Sequence, residues 1–167
     1  HESPSDSATV SLSGTGIAPA VAFSPAELSF GGYPVGTTSS PQAMTLSNMG
    51  SAPLTLSEIF VSGDFSQTNG CDTGLEPGAS CAIGVTFTPA AAGLRAGTLT
   101  VRNSIPCDTW TAGLRGTGTD FLVSASPPTV TIAAGQSATY TLTLTPSYGF
   151  HQEVSLSCTG APQEAHC

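Results

Sequence analysis

Five cysteines, three histidines and eleven acidic side chains are the groups in this chain equipped for metal, redox or acid–base chemistry. The histidines are His1, His151 and His166. An amino-terminal histidine can chelate copper through its amine and ring with a second imidazole, as in oxidative polysaccharide enzymes. That would require His1 at the mature terminus and His151 or His166 folded onto it. Nothing else in the chain resembles those enzymes, and three loop histidines is the reading adopted. His166 adjoins Cys167, a pairing that suggests metal ligation, but a disulfide would consume the thiol. Serine is abundant, yet no Gly-x-Ser-x-Gly elbow occurs. The acidic residues never form an Asp-x-Asp-x-Asn/Asp-Gly calcium loop. Asp64, Asp72 and Glu76 come nearest to a weak calcium site, against the blander alternative of a solvated loop. Carboxylate pairs for glycoside hydrolysis need a cleft, which short-strand sandwiches without long insertions seldom form. No catalytic residue, metal or cofactor is expected.

The cysteines are Cys71, Cys81, Cys107, Cys158 and Cys167. Two pairs are close in sequence, in segments that read as loop and strand edge, and neither has the CxxC spacing of a zinc or redox site. Cys71–Cys81 and Cys158–Cys167 are read as disulfides, which implies an oxidising, extracellular compartment. Cys107 is left over, either as a lone thiol or as a bridge to another chain or segment.

Charge narrows the partners. Only 8% of the residues are charged, the net charge is -8, and all three basic residues are arginines (Arg95, Arg102, Arg115). Nucleic-acid binding needs clustered Lys and Arg to replace condensed counterions. Attraction to anionic lipid needs the same. Neither is available, and no apolar run approaches the roughly 20 residues of a membrane helix. Without lysine there is no Lys–Asn isopeptide staple. There is no Asn-x-Ser/Thr sequon, although the many Ser and Thr could accept O-glycans. The chain shows no signal peptide and does not begin with Met, so either a leader was removed or this is a piece of something longer.

The elements that must carry these groups are strands. Met44 and Leu46 alternate with polar residues, as do Ile83, Val85 and Phe87, and Leu99 and Val101. Trp110, Ala112 and Leu114 share one face, and Tyr140, Leu142 and Leu144 another; Val154 and Leu156 end the series. Period-two alternation buries one face of a strand and wets the other. Gly and Pro punctuate the runs at Asn48-Met49-Gly50, Ser62-Gly63-Asp64, Glu76-Pro77-Gly78 and Ala134-Gly135-Gln136. Many short strands with such turns predict an all-β sandwich. One internal repeat sets the scale: Ser11-Leu12-Ser13-Gly14-Thr15-Gly16 recurs as Gly113-Leu114-Arg115-Gly116-Thr117-Gly118. The separation is about one immunoglobulin-domain length.

An apolar strand followed by Gly-Thr-Gly would then close each of a series of tandem immunoglobulin-like modules, incomplete at both ends. Residues 1–18 would be the closing strand of a preceding module, 19–118 a complete sandwich, and 119–167 an incomplete one.

The ordered motifs of residues 20–118 resemble the ASH/HYDIN-like immunoglobulin domains, called choice-of-anchor D modules in bacterial surface proteins. The matching stretches include Val21-Ala22-Phe23-Ser24-Pro25, Leu28-Ser29-Phe30-Gly31, Thr45-Leu46-Ser47-Asn48-Met49-Gly50 and Ser62-Gly63-Asp64-Phe65. Pro77-Gly78-Ala79-Ser80-Cys81, Ile83-Gly84-Val85-Thr86-Phe87-Thr88-Pro89 and the closing Gly-Thr-Gly complete them. The resemblance supports the Cys71–Cys81 pairing, whereas Cys107 departs from the pattern. Residues 119–167 resemble the start of a bacterial Ig-like repeat. The resemblance implies a non-enzymatic spacer, stalk or adhesive repeat on a secreted or cell-surface protein, and it brings no catalytic residues.

Two open ends follow from this organisation. Phe121, Val123, Tyr140, Leu142 and Leu144 would present an uncovered apolar face, and Thr9, Val10 and Leu12 would lie on a lone strand without its module. These eight residues form the predicted strand-addition interface. The chain is then either a stalk or spacer repeat in a longer array, or a fibre subunit assembled head-to-tail by β-strand addition. Its expected partners are further copies or neighbouring modules. The rival readings are an adhesion or carbohydrate-binding module, for which Tyr33, Tyr148 and Phe150 are the available aromatics, and an accessory module of a larger secreted enzyme.

Overall fold

The computed structural model describes residues 9–72, 74–104 and 108–159. These contain ten strands: β1 (Val21–Ser24), β2 (Glu27–Pro34), β3 (Gln42–Asn48), β4 (Leu54–Val61), β5 (Phe65–Asn69), β6 (Gly74–Leu75), β7 (Ser80–Phe87), β8 (Gly93–Asn103), β9 (Thr109–Ser126) and β10 (Thr141–Ser147). One sheet has the order β1-β3-β7-β5 and the other β10-β9-β8-β4-β6. All pairs are antiparallel except β2 and β9, which run parallel with Leu28 beside Leu114.

The alternation in sequence decides which face each strand buries. Met44, Leu46, Ile83, Val85, Phe87, Leu99 and Val101 are fully buried between the sheets. Phe30, Phe65 and Phe87 form the aromatic centre, with the Phe65 and Phe87 rings stacked at 5.0 Å and Phe30 tilted against both. Full burial of one such ring contributes about 3 kcal/mol. The Gly-Thr-Gly of β9 belongs to this packing. A Cβ on Gly116 would lie 2.5 Å from Cε1 of Phe87, and one on Gly118 would overlap the Ala91 carbonyl. Both glycines are therefore set by close approach rather than by turn geometry.

Asn48, at the end of β3, is buried and uses its amide four times. Oδ1 accepts from the N–H groups of Ala20 (3.3 Å) and Gly50 (3.0 Å), and Nδ2 donates to the carbonyls of Ala52 (2.8 Å) and Leu75 (2.9 Å). It ties the entering chain, the following turn and β6 at one pole of the sandwich. Ala18 is fastened to the same turn, accepting from the N–H groups of Ser51 and Ala52.

One expectation is corrected. Residues 9–20 form no strand, and Val10 and Leu12 are 80% and 93% exposed. A strand persists only with a neighbour to complete its ladder, and none of the described strands lies beside them. β9 itself runs unbroken from Thr109 to Ser126, across the position where the complete module is expected to end.

Candidate functional site

Beyond Thr119, β9 leaves the sandwich and pairs with β10 alone. Ser126 faces Thr141, Val123 faces Leu144 and Phe121 faces Pro146. Alternation sorts the ribbon into two faces. One carries Phe121, Val123, Ala125, Leu142, Leu144 and Pro146, and the other carries Leu122 with serines and threonines. The apolar face is wet: Val123 is 45% and Leu142 48% exposed. Of the predicted interface residues, the fold thus gathers Phe121, Val123, Leu142 and Leu144. Tyr140 lies just before β10 and is also exposed. Thr9, Val10 and Leu12 are exposed on the entering segment and are not joined to this face.

The ribbon is braced where it leaves the sandwich. The Phe121 and Phe150 rings lie 4.9 Å apart, and Ser147 Oγ donates to the Asp120 carbonyl at 2.9 Å. Tyr148, with φ 51°, brings its ring against Gly93 at the start of β8, where a Cβ would meet Cζ at 3.4 Å. The Tyr148–Phe150 tip packs on the strands beside it. Tyr33, an aromatic weighed for ligand binding, packs edge-on to Phe87 at 6.3 Å.

Charged groups are used for structure. The Asp64 carboxylate accepts from Arg95 Nε at 2.5 Å and Nη2 at 3.2 Å, and from the Ala90 N–H at 3.0 Å. The Arg95 hydrogen bond, followed by that of Ala90, holds this carboxyl below its ordinary range. Asp64 is thereby engaged by Arg95 rather than shared with Asp72 and Glu76. Among the described residues, no three His, Cys, Asp or Glu side chains gather as a metal site. His151 engages the Gly149 carbonyl at 2.9 Å; His1 and His166 lie outside the described residues. One depression is lined by Leu56, Glu58, Asn69 and Asp72, another by Ser57, Arg102 and Asp108. Neither pairs a nucleophile with a histidine base.

Cys71 and Cys81 are joined, tying the loop after β5 to β7. Cys158 is disulfide-bonded, while Cys107 and Cys167 lie outside the described residues. Sequence reasoning missed Pro146 and Ala125 on the apolar face and the strap that Asn48 provides. The cross-strand partners of Val123 and Leu144 would have revealed the first two, but only once the register was known.

Two sheets around an aromatic core, antiparallel but for the parallel β2–β9 pair, define an immunoglobulin-like sandwich. The chain belongs to the HYDIN/CFA65/VesB-like Ig-like domain family, whose family model matches residues 19–117. The ASH/HYDIN resemblance read from the motifs is thereby borne out.

Among solved structures, a protein of unknown function from Porphyromonas gingivalis is similar at 17% identity and TM-score 0.50, covering 59% of this chain and 46% of that one. The secreted serine protease VesC of Vibrio cholerae is 19% identical over 64% of this chain and 24% of its own, at TM-score 0.46. The ASH/PapD-like domain of human CEP192 is 16% identical over 68% of this chain and 95% of its own, at TM-score 0.47. The chain thus spans less than half the length of the first two. These likenesses concern the fold alone. No match to a curated protein was found.

Proposed function

We propose that this chain is a non-catalytic structural module of an extracellular protein, a stiff spacer or fibre subunit whose direction is carried by β9. The observation that carries this reading is the continuity of β9. Its 18 residues extend about 60 Å at the usual rise, and they leave the sandwich as a paired strand rather than as a flexible linker. The Tyr148–Gly93 contact and the tilted Phe121–Phe150 pair brace the exit. The Cys71–Cys81 bond suits an oxidising compartment.

An adhesive or glycan-binding role has less support. Phe60 lies under the Arg102 guanidinium at 4.9 Å, and Tyr33 is packed on Phe87. The accessory-module reading is favoured by one observation, the VesB-like designation of the family. It differs only in what the spacer is attached to.

Spin labels at exposed Ser66, on the sandwich, and exposed Thr143, on the ribbon, test the spacer directly. Pulsed dipolar spectroscopy should give one narrow distance distribution, which broadens when Gly-Ser-Gly is inserted after Asp120. A distribution already broad in the parent chain refutes a stiff spacer.

A further inference from the structure

We propose that the ribbon opens a second sandwich and that Thr9–Gly16 of another copy of this chain supplies its last strand, parallel to Thr129–Ala134. This inference rests on the structural-module reading and names its partner.

The first sandwich is the template. Its opening strand β1 ends in Ser24-Pro25 and pairs with β3, Phe23 facing Leu46. The ribbon repeats this: β9 ends in Ser126-Pro127 and pairs with β10, Ala125 facing Leu142. Between paired strands, each unit has a glycine turn. Thr37 N–H donates to the Pro34 carbonyl with Gly36 at φ 79°, and Gln136 N–H donates to the Ala133 carbonyl with Gly135 at φ 81°.

Counted from the Ser-Pro, Val130 and Ile132 stand where Leu28 and Phe30 stand in β2. Leu28 and Phe30 are 4% and 5% exposed, but Val130 and Ile132 are 37% and 46% exposed. Leu28 and Phe30 are buried in the core, Phe30 against Phe65 and Phe87, while the last strand of the module, Gly113–Thr119 of β9, pairs along the edge of β2, running parallel. Thr129–Ala133 forms no strand, and none of the described strands lies beside it.

The chain carries a second version of that last strand. Ser11–Gly16 repeats Gly113–Gly118, so Val10 and Leu12 correspond to Ala112 and Leu114. The latter are 3% and 1% exposed, the former 80% and 93%. The segment thus has the pattern of a core strand and lacks the core. In register with the template, Leu12 lies beside Val130.

Charge permits the contact between copies. Each copy carries -8 overall, yet Ser7–Ala26 and Phe121–Phe150 contain no charged residue. Like-charge repulsion therefore falls outside the two surfaces that would meet.

Geometry puts the two segments out of each other's reach within one copy. Ala18 is tied to the Ser51–Ala52 turn at the pole where β9 begins, and the ribbon leaves from the opposite pole, where Gly93 faces Gly118. Residues 9–17 reach at most about 30 Å, roughly half the length of β9. Pairing is thus head-to-tail, and contacts of this kind propagate as filaments.

The test uses the whole chain and two surface variants, Leu12→Asp and Val130→Asp, examined by sedimentation velocity and electron microscopy. The parent chain should form linear oligomers that lengthen with concentration. Each variant should stay monomeric, its association weakened about 10- to 100-fold by losing one buried side chain. Mixed together, the variants should form one-to-one dimers and stop, since one intact strand meets one intact acceptor. A monomeric parent chain, assembly that survives Leu12→Asp, or variants that fail to complement would each overturn the proposal. Loss of assembly in Val130→Asp alone would overturn it, because the edge at Val130 would then meet something other than Thr9–Gly16. None of these outcomes bears on the spacer reading, which the spin-label distances decide.

Discussion

Replacing Asn48 by alanine should cost far more than removal of one polar side chain from a loop. Four partners depend on its amide, and they differ in access to water. The Leu75 carbonyl is reached by a buried bond, and an unpaired buried acceptor costs about 1–3 kcal/mol. The Ala52 carbonyl and the Gly50 and Ala20 N–H groups are nearer solvent and recover part of their hydration. Each then loses about 0.5–1 kcal/mol, the low end of a net hydrogen bond. Together these give a destabilisation of about 2.5–6 kcal/mol. Urea unfolding should show a lower midpoint with an unchanged slope, and hydrogen exchange should accelerate first at the Ala20 and Gly50 amides. Asn48→Asp sharpens the test. It keeps both acceptor bonds but turns an oxygen toward the Ala52 and Leu75 carbonyls, so it should be no better tolerated than alanine. Ser47→Ala, at the neighbouring position, should change stability by no more than about 0.5 kcal/mol. A loss below about 1 kcal/mol for Asn48→Ala would refute the claim that this amide joins three segments.

Gly116→Ala should destabilise the fold by about 1–3 kcal/mol in thermal or urea unfolding, because its methyl would overlap the Phe87 ring. The same change at the repeat position, Gly14→Ala, should leave the monomer's stability within about 0.5 kcal/mol, since nothing lies within 4 Å of that site. The Asp64–Arg95 pair predicts a pH dependence of definite sign. Because Asp64 has its carboxyl held below the ordinary value of 3.8, its contribution is complete above that value. It is lost as pH falls through the lowered one. Urea midpoints measured from neutral pH downward should therefore fall more steeply in the parent chain than in Asp64→Asn, the two converging in acid; parallel curves would refute the assignment.

Much of the sandwich was legible because alternation reports which face a strand buries. Met44, Leu46, Ile83, Val85, Phe87, Leu99 and Val101 all stand on the side their spacing implied, fully buried. Alternation says nothing about a strand's neighbour, however. The parallel pairing of β2 with β9, and the passage of β9 across the expected boundary, depend on contacts between residues far apart in sequence. Asn48 was visible within a family motif, but its task was not, since a buried amide and a turn amide look alike until the four partners are in place. On the ribbon, the apolar residues Val123, Leu142 and Leu144 were found by period, whereas Ala125 and Pro146 joined their face only through register.

The repeated Gly-Thr-Gly strand shows where local sequence stops deciding structure. Around Leu114 it is a strand, flanked by β2 and β8, with Gly116 under Phe87. Around Leu12 nearly the same residues form no strand, and the side chain is 93% exposed. Propensity is almost equal in the two places, so the difference comes from what surrounds them: two hydrogen-bonding neighbours and an aromatic ring to cover the glycine. A β-strand former costs backbone entropy to order, about 1–2 kcal/mol per residue, and only a ladder and a buried face offset it. The same accounting applies to Thr129–Ala133, whose Val130 and Ile132 have the residue types of a core strand without its neighbours. Two segments of one chain thus have complementary needs at opposite poles. Satisfying both by one contact requires no new chemistry, only a second copy in the next position along β9.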